Sequence, residues 1–402
     1  MNWHSDVWEL PTSGRILADI REDLSQGISL RLINARPDNN YEFHKILLGQ
    51  LDAIDGLNAV EFDLLHLERR DLSGFLSAIT DHAVDTGVVS KLIADDWVPD
   101  VLLLNGFDEL DAVGQKQILA LMESWADECH AISIRKSLCL VIDGRNAHIV
   151  WETASSLRIK NKVLVGFPSA IEMQLLCRQQ AGDAYISPED QWRETLIASL
   201  SGSDTSLAHA LWQHLLEDFS GVSRILLEYA AARSWQKKIF AKDIEGWYPI
   251  PLGVMPSLPK HSRNIILLTR GLTVFTPEFG EEIHSAGLAL LDRNEELRHR
   301  IWRSQSALVA PVNDGLRLKV YSLVKRKMTA ASVEGDIPEI GELKFFMESL
   351  SSHSWEKQQF YNIICHARHV RNKLAHFEII TLREYLDLWN SWQKVRQMLT
   401  PQ

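Results

Sequence analysis

The first 180 residues alternate short apolar runs with amphipathic stretches. The apolar runs are of the β type, whereas the stretches between them, such as residues 40–54 and 109–128, repeat their apolar positions with a helical period. Strand followed by helix at this spacing predicts an α/β domain, with a parallel sheet covered by helices on both faces. The predicted strands are residues 28–34, 59–67, 100–106, 137–144 and 162–167.

After residue 180 the apolar positions keep a helical period almost throughout. Ser and Gly stand near the starts of the predicted helices, and a Pro-rich stretch at residues 247–260 is the clearest linker. Beyond residue 278 every segment is predicted to be helical. The pattern therefore predicts three parts: an α/β domain over residues 1–180, a helical lid and linker over residues 181–260, and an all-α bundle over residues 278–402.

Composition narrows the class of protein. A chain of 402 residues favours two or three domains. Its longest apolar runs are too short to cross a bilayer, and the opening stretch MNWHSDVWELP lacks the apolar region of a signal peptide. We therefore expect a soluble, cytoplasmic protein with no membrane partner. Four cysteines without metal-type spacing are expected to be buried thiols in a reducing compartment: Cys129, Cys139, Cys177 and Cys365.

The charge balance limits how nucleic acid could be bound. A net charge of −11 argues against a protein whose main task is to coat nucleic acid. Basic residues nevertheless cluster at 316–328 and at 366–373. Because both clusters lie in the C-terminal third, any contact with RNA is expected there.

An acidic pair, Asp108 and Glu109, follows the predicted strand that begins near residue 100. In nucleoside triphosphatases such a pair holds Mg²⁺ and activates the attacking water. The stretch resembles the Walker B strand of AAA-type and NACHT-like ATPases, except that Asn105 stands in place of the first Asp of that motif. By the same resemblance, Arg145 occupies a sensor-like position after the next core strand. The resemblance implies a P-loop-NTPase-like fold for the N-terminal domain.

The first predicted strand does not lead into a phosphate-binding loop. Such a loop needs glycines, which let backbone N–H groups approach phosphate, and a lysine that neutralises it. Residues 35–45 contain no glycine, Asp38 would repel phosphate, and Lys45 lies too far into the next helix. We therefore expect a degenerate ATPase-like domain that uses no cofactor and hydrolyses no ATP. In it, Asp108 and Glu109 would form a solvated helix cap.

The hexapeptide RNKLAH, residues 371–376, lies between a strongly apolar helical face and a new helical pattern after Thr381. This setting predicts that Arg371 and His376 fall near the join between two helices. The hexapeptide resembles the signature of the HEPN (higher eukaryotes and prokaryotes nucleotide-binding) family, which is Arg, a polar residue and, several residues later, His. Arg371, Asn372 and His376 match that signature. The resemblance covers the helical C-terminal part and rests mostly on these six residues.

Two simpler interpretations stand beside this resemblance. An ordinary helix end, at which Arg and His bind carbonyl oxygens, would also explain the hexapeptide. A second stretch with the same residue types, from Arg293 through Asn294 to His299, opens a helix within a charge run. Surface ion pairs are the expected role of that second stretch.

The HEPN resemblance implies RNA cleavage without a metal ion. A histidine can act as acid or base near neutral pH, and a guanidinium can bind two phosphate oxygens at once. Asn372 can orient the phosphate or the imidazole. HEPN nucleases generally pair two domains so that their motifs face each other, which implies a homodimer through the C-terminal domain.

Further residues of the C-terminal part have expected roles in binding. Some aromatic residues of the last helix are candidates for the dimer contact, although core packing is expected for at least one of them: Tyr385, Trp389 and Trp392. A basic strip on the helix that carries the hexapeptide would guide a phosphate backbone: His366, Arg368, His369 and Lys373.

The sequence thus predicts an RNA-directed, metal-independent endoribonuclease that is regulated by an ATPase-like module. The implied setting is prokaryotic antiphage defence or a toxin system, in which an operon-encoded protein is a further candidate partner. An adaptor that binds a partner or a nucleotide without cleavage is the alternative. An active signalling ATPase would need a phosphate loop, which the sequence lacks.

Overall fold

A computed structural model of the chain gives the architecture. Asp38, with the other residues at 36–39 of the segment examined for a phosphate loop, lies outside the described residues. The structure describes residues 7–35, 40–64, 89–90, 93–94, 98–151, 158–182, 187–258, 260–327, 338–349 and 355–399.

A five-stranded parallel sheet forms the N-terminal part, as predicted. β4 and its neighbour β1 are buried along almost their whole length, which explains why both strands are rich in apolar residues. The strand order is β2-β3-β4-β1-β5, and every neighbouring pair is parallel. The strands are β1 (Ser29–Asn34), β2 (Ala59–Asp63), β3 (Val101–Asn105), β4 (Ser137–Asp143) and β5 (Ile159–Leu164).

Helices make up most of the rest of the described chain, which confirms the expected α/β part followed by a helical part. The short hairpin of β6 (Thr273–Thr276) and β7 (Gly280–Ile283) is an addition that the helical pattern did not predict. The helices are α1 (Pro11–Ser25), α2 (Asn40–Asp52), α3 (Ala112–Ala131), α4 (Ala147–Trp151), α5 (Ala170–Ala181), α6 (Pro188–Ser201), α7 (Thr205–Trp212), α8 (Phe219–Ala232), α9 (Lys237–Asp243), α10 (Ser262–Thr269), α11 (Ser285–Leu290), α12 (Asn294–Lys327), α13 (Ile340–Ser349), α14 (Trp355–Ala375) and α15 (Leu382–Leu399).

Contacts divide the chain into two compact units. The first unit combines residues 1–172 with residues 240–284, and the second combines residues 173–239 with residues 285–402. The α/β unit therefore includes the Pro-rich stretch that the sequence suggested as a linker. The division into three parts, with boundaries at residues 180, 260 and 278, stays a prediction about which parts of the chain fold independently.

The α/β unit carries an apolar cluster at the carboxyl ends of its strands. Ile33 and Ala35 at the end of β1 pack there with Val165, which follows β5. Ile265 and Leu268 of α10 complete the cluster from the other side. The segment that follows the Pro-rich stretch thus covers this edge of the sheet with apolar side chains.

Gly144 is the point of closest approach between the sheet and α10. A Cβ atom at this position would lie 2.0 Å from Thr269 Oγ1 and 2.9 Å from the carbonyl oxygen of Asn34. Both distances are far below van der Waals contact, so only glycine allows α10 to pack this closely on the end of β4.

The helical unit is built around α12, a helix of 34 residues. Its buried side chains include Leu297, Ile301, Val309 and Leu316. α6, α14 and α15 all pack against it. As a result, α12 is the element that positions the C-terminal pair α14 and α15.

Two expectations from composition concern thiols and membranes. Cys129, Cys139 and Cys177 are buried as expected, while Cys365 is half-exposed. Burial raises the pKa of the Cys129 thiol to about 11 and raises the pKa values of Cys139 and Cys177 further. Among the described residues, no helix has both the length and the apolar character that a bilayer crossing requires.

We predict that Gly144→Ala destabilises the α/β unit. The added methyl group must displace Thr269 and the backbone of Asn34, and overpacking of this kind costs about 1–3 kcal/mol. Gly49→Ala is the matched control, because Gly49 lies inside α2 with open space around its Cβ position. It should raise the free energy of unfolding by up to about 1 kcal/mol. Denaturant titrations that find Gly144→Ala as stable as the wild type would contradict the tight packing of α10.

Candidate functional site

The acidic residues after β3 belong to a short 3-10 turn, Phe107–Glu109. Asp108 is half-buried: its Oδ1 accepts a hydrogen bond from Asn146 Nδ2 and its Oδ2 accepts one from the backbone N–H of Asp143, each at 2.8 Å. Burial raises the pKa of Asp108, and these two hydrogen bonds oppose part of the rise. The carboxylate therefore ties the turn after β3 to the turn after β4.

The expected helix cap at Asp108 and Glu109 is wrong. α3 begins after Asp111, whose Oδ1 accepts a hydrogen bond from Gly114 N at 2.7 Å. Glu109 is exposed. Asp111 caps α3 because it directly precedes the first helical turn, and a capping carboxylate must reach the N–H groups of that turn.

The other polar groups at this edge of the sheet are also paired. Arg145, the sensor-like residue, binds Asp143 with two prongs, Nε to Oδ1 at 2.9 Å and Nη2 to Oδ2 at 2.6 Å. Asn105 accepts from Gly106 N at 2.8 Å through its Oδ1. Its Nδ2 donates to Glu61 at 3.4 Å. These side chains stabilise the turns at the strand ends.

Side chains of α10 lie in the crevice at the carboxyl ends of the strands, where a ligand would be expected. The connection after β1 leads to β2 at one edge, whereas the connection after β4 leads in the opposite direction to β5. Ligands of open α/β sheets bind where neighbouring connections diverge in this way, here between the carboxyl ends of β1 and β4. Thr269 and Ile265 of α10 occupy this place, against Gly144.

The hexapeptide at residues 371–376 lies at a join between two helices, as the sequence predicted. α14 ends at Ala375 and α15 begins at Leu382. The N–H of Phe377 donates to the carbonyl of Leu374 at 3.2 Å, and the N–H of Glu378 donates to that of Lys373 at 2.9 Å. This pair of bonds defines a Schellman motif, in which His376 is the C-cap residue.

Phe377 takes the position of this motif that usually holds glycine. Its φ is +60°, in the left-handed region, which costs about 1 kcal/mol for a residue with a Cβ atom. Its side chain is 66% exposed. Because no Gly or Asn stands at this position, the sequence carries no local signal for the left-handed residue of the cap. Phe377 was therefore not among the predicted site residues.

Arg371 and His376 are exposed, and Asn372 is half-buried. Within the described part of the chain, the side chains of these three residues have no hydrogen-bond or ion-pair partner. The alternative in which Arg and His bind carbonyl oxygens of the helix end is not what the structure shows, because backbone N–H groups bind the carbonyls of Asn372, Lys373 and Leu374. The three side chains are therefore available to a ligand.

α12 holds the loop between the two helices. Trp302 Nε1 donates to the carbonyl of Leu374 at 2.6 Å. One turn further on, the amide of Gln305 donates to the carbonyl of Ile380 and accepts from its N–H, both at 2.8 Å. These roles were not predictable from the sequence, because the bonds span 72 and 75 residues and side-chain bonds to a distant backbone leave no local pattern.

Two residues of the predicted basic strip are neutralised. Glu384 binds Lys373 Nζ at 2.6 Å and His369 Nε2 at 3.2 Å. Glu384 also accepts a hydrogen bond from Thr381 N at 2.8 Å, so it belongs to the capping box of α15. The sequence analysis missed this partner of His369 and Lys373, which was not visible from α14 alone, and the role of the strip in guiding a phosphate backbone stays a prediction. His366 is exposed, and the guanidinium of Arg368 lies 6.0 Å from the ring of Phe345.

The second stretch, from Arg293 to His299, behaves partly as predicted. Arg293 forms a surface ion pair with Glu296 at 3.4 Å. His299 instead stacks on Trp302, with ring centroids 5.4 Å apart.

Among the candidates for the dimer contact, Tyr385 is fully buried against Trp192, so it belongs to the core. Trp389 and Trp392 are half-buried. The part of the chain that the structure describes contains no group of three His, Cys, Asp or Glu residues that could hold a metal ion.

Comparison with known proteins gives weak similarities. No protein-family model matches the chain, and no curated protein matches it. Drosophila ORC bound to poly(dA/dT) DNA and Cdc6 is 11% identical with a TM-score of 0.34, over 98% of this chain and 70% of that chain. The Hsp104–ADP complex of S. cerevisiae is 11% identical with a TM-score of 0.30, over 97% and 48%. A DNA replication initiation factor is 9% identical with a TM-score of 0.25, over 96% and 90%. The fold described above rests on the strand pairing of this chain.

We predict a pH-dependent contribution of Glu384 to stability. Burial alone would raise its pKa, but Lys373, Thr381 and His369 outweigh this effect and bring the pKa of Glu384 to about 2. Because this value lies below the ordinary 4.5, the stabilisation is present above about pH 4.5 and is lost as the pH falls toward 2. Glu384→Gln should lower the free energy of unfolding by about 1 kcal/mol at pH 7.

Thermal unfolding across this pH range checks the expectation. Glu378→Gln, which changes an exposed carboxylate in the preceding loop, should have little effect at any pH. A Glu384→Gln deficit that is equally large at pH 7 and near pH 2 would show that the ion pairs are not its cause.

Proposed function

We propose that the helical unit is a metal-independent endoribonuclease with Arg371, Asn372 and His376 as its catalytic residues. The observation that carries the proposal is the state of these side chains at the end of α14. The carbonyls of the helix end are bound by backbone N–H groups and by Trp302. Arg371 and His376 face solvent. Polar groups that the fold itself does not use are suited to a substrate.

Each side chain has a role in in-line cleavage of RNA. An imidazole takes the proton of a 2′-hydroxyl, which attacks the adjacent phosphorus, and the bond to the 5′-oxygen breaks. That oxygen receives a proton from a second imidazole, which leaves a 2′,3′-cyclic phosphate and a 5′-hydroxyl. Arg371 neutralises the phosphorane with two hydrogen bonds, and Asn372 orients it.

A symmetric pair of chains would supply the second imidazole. In a twofold homodimer, the same surface of each chain forms the interface, so two copies of His376 can face one scissile phosphate. The proposal therefore includes a homodimer through the helical unit, with Trp389 and Trp392 as half-buried candidates for the contact.

The proposed setting follows from the resemblance stated for the sequence. A nuclease joined to an ATPase-like module suits a cytoplasmic toxin or antiphage defence system, with cellular or viral RNA as substrate. An operon-encoded protein is the proposed regulator of its activity. In this arrangement the α/β unit transmits a signal and does not itself turn over nucleotide.

A second candidate function is that of an adaptor that binds a partner protein without cleavage. The filled crevice between β1 and β4 favours it, because an ATPase-derived sheet that has lost its ligand space retains value as a binding scaffold. RNA that stays whole in the presence of purified protein would support the adaptor.

We predict that Arg371→Ala and His376→Ala each reduce RNA cleavage by a factor of about 10² to 10⁴, since each removes a phosphate clamp or a proton carrier. Arg371→Lys should recover only part of the rate, because a point charge cannot make the two-pronged contact. Cleavage of labelled RNA by the purified full chain is the measurement, and EDTA should not inhibit it.

Controls separate catalysis from general charge. Arg293→Ala removes an exposed arginine that forms a surface ion pair, and it should leave the rate unchanged. The active species should be a dimer by light scattering. A strict monomer that cleaves would refute the paired site, and activity that survives Arg371→Ala but not Arg293→Ala would refute the chosen residues.

We also predict that the α/β unit has no magnesium-dependent ATP turnover, because α10 occupies the crevice and the pair after β3 includes a carboxylate committed to two hydrogen bonds. Phosphate release should be the same for the wild type and Glu109→Gln. ATP hydrolysis that disappears in Glu109→Gln would contradict this expectation.

A further inference from the structure

An exposed aromatic ring stands directly beside the proposed catalytic histidine. Phe377 follows His376 in the chain, and its side chain is 66% exposed. Large apolar side chains at such exposure are common when isolated. This ring is not isolated, because it contacts a second aromatic ring at the helix end.

Trp302 holds that ring in place. The ring centroids of Trp302 and Phe377 are 4.7 Å apart. On its other side Trp302 stacks on His299, with centroids 5.4 Å apart and an interplanar angle of 28°. The Trp302 indole is itself anchored by its bond to the carbonyl of Leu374. The three rings are therefore held together at the helix end, and the ring of Phe377 is exposed to solvent.

Folding alone does not explain Phe377. The residue adopts φ +60°, where glycine is favoured, and its ring gains little from burial because most of it faces water. Ser133, Ser234 and Asp292 share this left-handed φ at other helix ends, whereas at Phe377 it places a large aromatic ring in solvent. Glycine at this position would relieve the strain but would remove the ring.

The surroundings indicate the chemistry of the ligand. Arg371 and His376, whose side chains are open to solvent, precede Phe377 by six residues and by one residue along the chain. A cation and an imidazole suit a phosphate, while an exposed, rigid aromatic face suits a planar base. The two features together match a nucleotide whose base is unstacked.

We propose that Phe377, backed by Trp302, is a stacking platform for an unpaired base of single-stranded RNA next to the phosphate bound by Arg371. This inference rests on the proposed function for the position of the scissile phosphate. It adds a contact to the base, which must be unpaired because the base of a duplex is not free to stack on a side chain. Base identity matters little, because every base has a π-face.

The test measures binding without cleavage. His376→Ala protein, as the full chain, is titrated into a fluorescein-labelled single-stranded RNA of about 12 nucleotides, and anisotropy gives the dissociation constant. Adding Phe377→Ala should weaken binding about 5- to 100-fold, and Phe377→Trp should restore it. Leu227→Ala is the matched control, because Leu227 is a 43% exposed apolar residue in the same unit, and it should leave binding unchanged. A hairpin duplex should bind independently of Phe377.

A second variant separates ligand binding from structure. Phe377→Gly removes the ring and the strain together, so it should raise the melting temperature or leave it unchanged while weakening RNA binding as Phe377→Ala does. A lower melting temperature with unchanged RNA binding would overturn the platform. A change of oligomeric state by light scattering, again with unchanged RNA binding, would assign the ring to a protein interface and would overturn it as well.

Failure of the platform and failure of the proposed nuclease are distinguishable. If Phe377 governs RNA binding but the wild type leaves RNA whole, the platform stands and the nuclease does not. If the wild type cleaves RNA and Phe377→Gly binds and cleaves as well as the wild type, the nuclease stands and the platform does not.

Discussion

The amide side chain of Gln305 determines where the chain turns at the end of the helical unit. It satisfies both backbone groups of Ile380 while being only 2% exposed itself. A buried amide or peptide group without such a partner costs about 1–3 kcal/mol, so the loop has little freedom to shift along α12. Trp302, one turn earlier on the same helix, binds the last turn of α14. The open side chains of Arg371 and His376 have a defined position because these two residues of α12 hold the backbone that carries them.

The two candidate sites use polar groups in opposite ways. At the carboxyl edge of the sheet, Asp108, Asp143 and Arg145 satisfy one another or the backbone, as polar groups near an apolar cluster must. At the end of α14, backbone bonds complete the helix cap without help from Arg371 or His376. Polar side chains that the fold does not consume are free to bind and to react.

The sheet was predictable from sequence because parallel strands buried on both faces give continuous apolar runs. The helix join at residues 371–376 was predictable for a similar reason, since an apolar face ends there and another begins. The pairing of Lys373 with Glu384 was not predictable from the sequence, because Glu384 lies on the next helix and the contact depends on how α14 and α15 pack. Phe377 was invisible too, because its left-handed φ contradicts the local preference and its contact with Trp302 joins two distant parts of the chain.

α10 can be regarded as a ligand that the chain supplies to itself. A segment tethered beside its own binding place acts at an effective concentration of the order of millimolar, whatever the protein concentration in solution. A nucleotide that entered the crevice between β1 and β4 would have to displace Thr269 and Ile265 and expose the apolar cluster beneath them. A nucleotide would therefore compete with a covalently attached segment, and a glycine-rich loop after β1 would not by itself remove that competitor.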